Sequence, residues 1–149
     1  GVVVAALGEQ MLRVTAAMAD GTLTWCTGPV TLAGHTIPTI TRFAEEFGRP
    51  APRVIAALPV CVTGDRKAAA ARAAQTFAAY GALPSYRAML DREGVAGPAD
   101  IAIIGNTDEV QDRIGALGGI GVTDFAAVEF GATPDEIADT RAALKGLLP

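Results

Sequence analysis

The sequence predicts an α/β fold of parallel βα units, a partial (half) TIM (β/α)8 barrel, and three observations carry that prediction. Apolar runs rich in β-branched residues alternate with helical patterns along the chain. The first run, VVVAALG, is continuously apolar, as in a parallel strand covered on both faces. Four to five such units occupy the 149 residues, whereas a full barrel takes ~250. Right-handed crossovers leave a doubly wound sheet as the other arrangement of the same pattern.

The first strand is the run VVVAALG, residues 2–8, which reads as a central strand ended by Gly8. A chain that opens on such a strand is expected to be a portion of a larger domain, so residues 1–149 are treated as one C-terminal barrel portion. From Glu9 the spacing of Met11, Leu12, Thr15, Met18 and Ala19 is helical, and Asp20-Gly21 stops it. TLTWCTG is the second strand, and Pro29 opens a helix that runs to about Phe47 with a kink expected at Pro38. The third strand spans 53–63, and Pro59 within it argues for an end or a bulge rather than an unbroken ladder. An Ala-rich helix follows, and Gly81 and Pro84 split off a second one. IAIIG at 101–105 is the fourth strand, and Asn106 with Glu109 has the spacing of a capping box. The fifth strand is 122–130, and Thr133-Pro134-Asp135-Glu136 starts the closing helix with a cap and a proline at its first position.

Composition excludes several classes of function. A net charge of −4 with twelve scattered Lys and Arg gives no basic stripe for a nucleic acid. Half of the residues are hydrophobic and the mean hydropathy is +0.34, so some apolar surface is expected to meet a partner. No run reaches the ~18 apolar residues of a membrane span, and the start has no basic signal-peptide region, so a cytoplasmic protein is the expectation. Cys26 and Cys61 stand apart in apolar runs and are expected to be buried, reduced thiols. His35 is the single histidine, too few parts for a hydrolase triad or a zinc site, and no metal is expected.

The chemistry the sequence does offer lies at the strand ends. A strand that turns at Leu7-Gly8 straight into a helix leaves backbone N–H groups at the positive end of the helix dipole. Thr24-Trp25-Cys26-Thr27-Gly28 repeats the arrangement before Pro29, and two such turns side by side could hold one phosphate. The alternative is that Gly8 and Gly28 only permit tight turns. Tyr80 and Tyr86 could present rings to a planar cofactor or substrate, and are the candidate substrate contacts, or pack in the core. Glu129, near the end of the last strand, either faces the pocket or sits on the rim.

VVVAALGEQMLRVTAAMADGTLTWCTGP resembles the segment of luciferase-like flavin- or deazaflavin-dependent oxidoreductases that reads as an apolar strand, Ala-x-Gly-Pro, a helix and Ala-Asp-Gly. PAPRVIAALPVCVTGD, YGALPSYRAMLDREGV and ADIAIIGNTDEVQDRIGALGGIGVTDFAAVEF resemble the later part of members that use coenzyme F420. The resemblance covers nearly the whole chain but only the C-terminal half of that family's barrel. It implies a barrel whose loops hold the phosphate-bearing tail of F420, or the phosphate of FMN, with hydride transfer at the ring to or from a small-molecule substrate. It implies cofactor contacts at Ala6, Leu7 and Gly8 in one turn and at Thr24, Trp25, Cys26, Thr27 and Gly28 in the next. Ala19-Asp20-Gly21 matches a structural helix-end motif, in which Asp20 is expected to bond loop amides.

The chain departs from the family where Glu9-Gln10 replaces the usual proline and basic residue, and where Ala16-Ala17 replaces Gly-Glu. Glu9 would put negative charge where phosphate docks unless it points away. The sequence assigns no catalytic residue. The competing readings are an FMN-dependent monooxygenase of the same superfamily and a non-catalytic half-barrel that binds a phosphorylated ligand or a partner chain. Either the missing N-terminal half or a homo-oligomer is expected to cover the exposed barrel interior and sheet edges.

Overall fold

The computed structural model describes residues 1–148. Its strands are β1 (Val3–Ala5), β2 (Gly21–Trp25), β3 (Arg53–Val62), β4 (Ile103–Gly105) and β5 (Asp124–Glu129). All pair in parallel, β1 with β2, β2 with β3, and β3 with both β4 and β5. The helices are α1 (Glu9–Met18), α2 (Pro29–Thr31), α3 (Ile37–Glu46), α4 (Arg66–Thr76), α5 (Ala78–Ala82), α6 (Pro84–Glu93), α7 (Thr107–Gly119) and α8 (Pro134–Lys145). Helices follow strands in βα order, as the apolar runs and their stop signals predict. The excursion from α4 to α6 is the longest interruption.

Strand β3 organises the sheet, and its proline corrects the expected break. Arg53 N–H donates to Asp20, Ala57 accepts from Cys26, and Thr63 N–H donates to Gly105. Odd-numbered residues of β3 therefore bond toward β2 and then β4, while Val54 and Val60 accept from Thr123 and Phe130 on the β5 side. Pro59 lies between the last β2 partner, Ala57, and the first β4 partner, Val60. Its missing N–H falls in the gap where one neighbour has left and the next has not arrived, so all ten residues stay in one strand.

The two faces of the sheet differ. Val54, Ala56, Leu58 and Val60 are buried under the helices with Leu12, Leu32, Ile40, Leu90 and Val110. Burial of each large aliphatic side chain contributes ~1.5–3 kcal/mol. On the other face, register sets Ala5 beside Leu23 and Leu23 beside Ile55; Leu23 and Ile55 are half-buried and Ala5 is exposed. That face is open near Ala5, Leu23 and Ile55 and closes toward the C-terminal end of β3, where Ala57 and Cys61 are buried.

Strand β1 is an edge rather than the central strand its sequence suggested. It pairs only with β2 among the described residues, and Val3 and Val4 are half-buried. Its apolar composition suits cover on both faces, but a parallel strand gains that only with a second neighbour and a closed interior. Strands β4 and β5 each pair only with β3 among the described residues, and Val128 of β5 is 37% exposed.

The run from Pro29 to Glu46 is one helical path with a wide turn inside it. Residues Leu32–Thr36 are π-helical, and Ile37 N–H reaches back to Leu32. The ring of Pro38 would press on the carbonyl of Gly34 in a regular α-helix, and the extra residue in the turn relieves that contact. Asp20 accepts from Val2 N–H at 2.6 Å, bonding a backbone amide as expected of a carboxylate past a helix end. No helix is long and apolar enough to cross a membrane among the described residues.

Candidate functional site

At the C-terminal end of the strands, β1 passes through Ala6-Leu7-Gly8 into α1. Leu7 is half-buried, and His35 from the π-helical turn holds its carbonyl through Nε2 at 3.1 Å. Gly8 caps α1 with no side-chain bond, and Leu12 makes the first intrahelical bond, to Gly8, at 3.0 Å. The amides of Glu9, Gln10 and Met11 thus precede the helical ladder. Glu9 turns to Arg42, at 3.0 Å between two exposed side chains, and so serves the surface.

A cavity of about 280 Å³ opens at this turn. Ala5, Ala6, Leu7 and Gly8 form its floor, and Met11, Leu23, Trp25, Ser85 and Tyr86 complete the lining. The indole N–H of Trp25 is buried without an acceptor, an unmet donor in a lining residue. Burial raises the pKa of the Tyr86 phenol, with smaller contributions from Tyr80 and Cys26. The walls are apolar and carry no Lys or Arg.

The second turn is built differently. Thr24 and Thr27 are buried and donate their hydroxyls to the carbonyls of Ile55 at 3.5 Å and Trp25 at 3.3 Å. Cys26 takes a left-handed φ of 49°, and burial pushes its thiol up to about 12. The amides of Val30 and Thr31 both donate to Glu93, the last residue of α6, at 3.1 and 2.7 Å. The amides expected to share a phosphate with the first turn are therefore held by a carboxylate of the chain itself.

The glycines are not there for turn geometry. Gly8 has φ −80° and Gly28 φ −79°, values open to any residue. A Cβ on Gly28 would run into the Glu93 carboxylate, which explains that glycine by close approach. A Cβ on Gly8 would meet nothing within 4 Å.

The structure brings Ala6, Leu7, Gly8, Trp25 and Tyr86 together around one cavity and leaves Thr24, Cys26, Thr27, Gly28 and Tyr80 outside its lining. Tyr80 packs edge-on between Trp25, at 5.6 Å, and Tyr86, at 5.1 Å. Glu129 sits on the rim, paired with Arg141 at 2.9 Å. Both cysteines are free and buried, as expected, and no group of residues that could hold a metal occurs among the described residues. The other helices that follow strands have side-chain caps: Asp65 for α4, Asn106 for α7 and Thr133 for α8. The amides that open α2 are held by Glu93, so α1 alone starts without a side-chain partner.

Sequence reasoning missed His35 and Glu93. The signal for Glu93 was present: an acid in the last turn of a helix opposes the dipole, and is better placed against the start of another helix.

The family model for luciferase-like monooxygenases matches residues 2–148. The chain belongs to this luciferase-like family. Its fold is similar to the coenzyme F420-dependent tetrahydromethanopterin reductase of Methanopyrus kandleri, with 22% identity, a TM-score of 0.70, and 93% of this chain matched to 47% of that one. An F420-dependent secondary alcohol dehydrogenase, solved with an F420–acetone adduct, matches at 18% identity and TM-score 0.70, over 99% of this chain and 47% of its own. The oxygenating constituent of 3,6-diketocamphane monooxygenase from Pseudomonas putida, solved with FMN, matches at 17% identity and TM-score 0.59, over 97% and 45%. Curated sequences give no significant match. The luciferase-like chain thus spans about half the length of the TIM-barrel enzymes it resembles, and its five parallel strands are part of that barrel.

Proposed function

We propose that this chain is the cofactor-phosphate half of a luciferase-like oxidoreductase that uses coenzyme F420. The observation that carries the reading is the uncapped α1 turn, opening into a 280 Å³ cavity beside an unmet Trp25 donor. These residues fit one phosphate group: backbone amides and the helix dipole supply the attraction, and no side chain stands in front of Gly8. When bound, the deazaflavin would supply the two-electron chemistry at its ring. The chain's own part is to hold the phosphate at Gly8–Met11, to set Leu23, Trp25 and Tyr86 against the cofactor, and to exclude water. His35 fixes the Leu7 carbonyl and with it the direction of the amides that follow.

The same turn would suit the phosphate of FMN, and the family includes FMN enzymes such as the camphane monooxygenase named above. A titration with F420 and FMN, followed by cofactor fluorescence, decides between them. Micromolar binding of F420 in preference to FMN supports the proposal, preference for FMN favours the second reading, and binding of neither by a chain with an assembled barrel overturns both.

In this reading the ring, the substrate and the reacting groups would meet residues outside this chain's five strands, beyond the Ala5–Leu23–Ile55 face, whose register aligns those three residues. We infer that this face and the β1 and β5 edges are covered by a further set of parallel βα units, from a second copy or from a longer chain. Light scattering reports which. A monodisperse dimer identifies a second copy, and an aggregating monomer whose mass is corrected by adding the missing half identifies the longer chain.

A further inference from the structure

The last residue of α6 plugs one strand-end turn while the first turn of the same helix lines the cavity at the other. Glu93 accepts from Val30 and Thr31 N–H at 3.1 and 2.7 Å, and Thr31 Oγ1 donates back to the Met89 carbonyl at 3.0 Å. Ser85 and Tyr86, two turns earlier on α6, line the same cavity as Gly8. Gly28 is left without a side chain at the point where the carboxylate approaches. Beyond Glu93, Gly94 closes the helix in a left-handed conformation, and Arg87 ties the following carbonyls of Val95 and Ala96 at 2.8 Å each.

We propose that Glu93 is a built-in anion that straps α6 to the start of α2, so that this helix forms a fixed wall of the cofactor cavity and the second turn is closed to phosphate. Glu93 is a positioning residue in this arrangement: it touches no ligand and acts through Ser85 and Tyr86. A carboxylate at the C-terminal end of its own helix is electrostatically misplaced, and it gains only by meeting the positive start of another. Both of its oxygens are used, one on each amide, so the link fixes the direction of α6 as well as its distance. The strap deepens the cofactor reading by naming what holds one wall of the cavity. Its test uses no cofactor, so either idea can fail without the other.

Hydrogen exchange on the full chain measures the strap directly. In Glu93→Ala, the amides of residues 84–93 and those of Val30 and Thr31 should exchange roughly tenfold faster, the factor set by loss of a charged hydrogen bond. Exchange in α8, which packs against β3, α7 and β5 rather than against α2 or α6, should change less. Trp25 emission should become more open to acrylamide, because Tyr80 and Tyr86 move with the excursion. Glu93→Gln keeps one acceptor oxygen and should recover part of the protection. If Glu93→Ala does not fold, Gly28→Ala decides the matter: it displaces the carboxylate by its Cβ alone, at a φ that alanine accepts. Parent-like protection of 84–93 in whichever of these two variants folds would overturn the proposal.

Discussion

The β1–α1 and β2–α2 turns begin from the same local material and end in opposite states. Each is a strand, a glycine and a helix start with ordinary φ at the glycine. At the first, the opening amides have no side-chain partner and face a cavity. At the second, the amides are taken by Glu93, 63 residues beyond Val30. Whether a helix start is an open anion site or a finished contact is thus decided by a residue far along the chain. Spacing around the turn carries no trace of it.

The largest test of that contrast removes one carboxylate from each turn. Glu93→Ala should lower the folding free energy by about 1.5–3 kcal/mol, since it strips a charged acceptor from two amides. Glu9→Ala removes an exposed pair with Arg42 and should cost no more than about 0.5 kcal/mol. Urea denaturation of the two variants measures both. Equal losses would mean that the second turn is held by packing and that the Glu93 contact is incidental.

Features closed within a few residues were legible in the sequence. Asn106 and Glu109 form the reciprocal cap their spacing announced, at 3.0 and 2.9 Å, and Thr133 caps α8 at 3.1 Å. The alternation of apolar runs with helices gave the βα order because each run is long enough to bury on its own. Pro59 was misjudged because its tolerance depends on where β2 ends and β4 begins, which is a property of three strands together. The site was half legible for the same reason. Ala6, Leu7 and Gly8 reach the cavity through their own backbone, whereas Thr24 bonds the carbonyl of Ile55 on the neighbouring strand, which the local sequence cannot reveal, and Thr27 turns back to Trp25.

A smaller effect separates the turns by pH. Burial holds the Cys26 thiol at about 12 in the fold, against ~8.5 in an unfolded chain. Between these values the folded state keeps a proton that the unfolded state has lost, so stability is complete below about 8.5 and falls as pH rises toward 12. Cys26→Ala should flatten that fall relative to the parent, measured as urea midpoints from pH 8 to 10.5. Cys61, also raised by burial first, is present in both proteins and contributes equally. An unchanged slope would mean that the Cys26 thiol ionises in the fold, and that the second turn admits water.

A small expected change in stability is also the sharpest probe of the first turn. Gly8→Ala adds a methyl group where no atom lies within 4 Å, on a backbone that alanine adopts freely. On the protein's own account it should change stability by no more than about 1 kcal/mol, because the smaller freedom alanine has to lose on folding offsets its poorer fit at the N-cap of α1. The glycine is therefore unnecessary to the turn, unlike Gly28, whose missing side chain makes room for Glu93. If a phosphate approaches the amides beyond Gly8, the same methyl group stands in its path. Affinity for F420 or FMN should then drop by tenfold or more, about 1.4 kcal/mol, with the urea midpoint close to that of the parent. Loss of affinity at full stability would mean that the space beside Gly8 is kept for a ligand. Retained affinity would move the phosphate away from this turn and leave α1 uncapped for no reason the fold supplies.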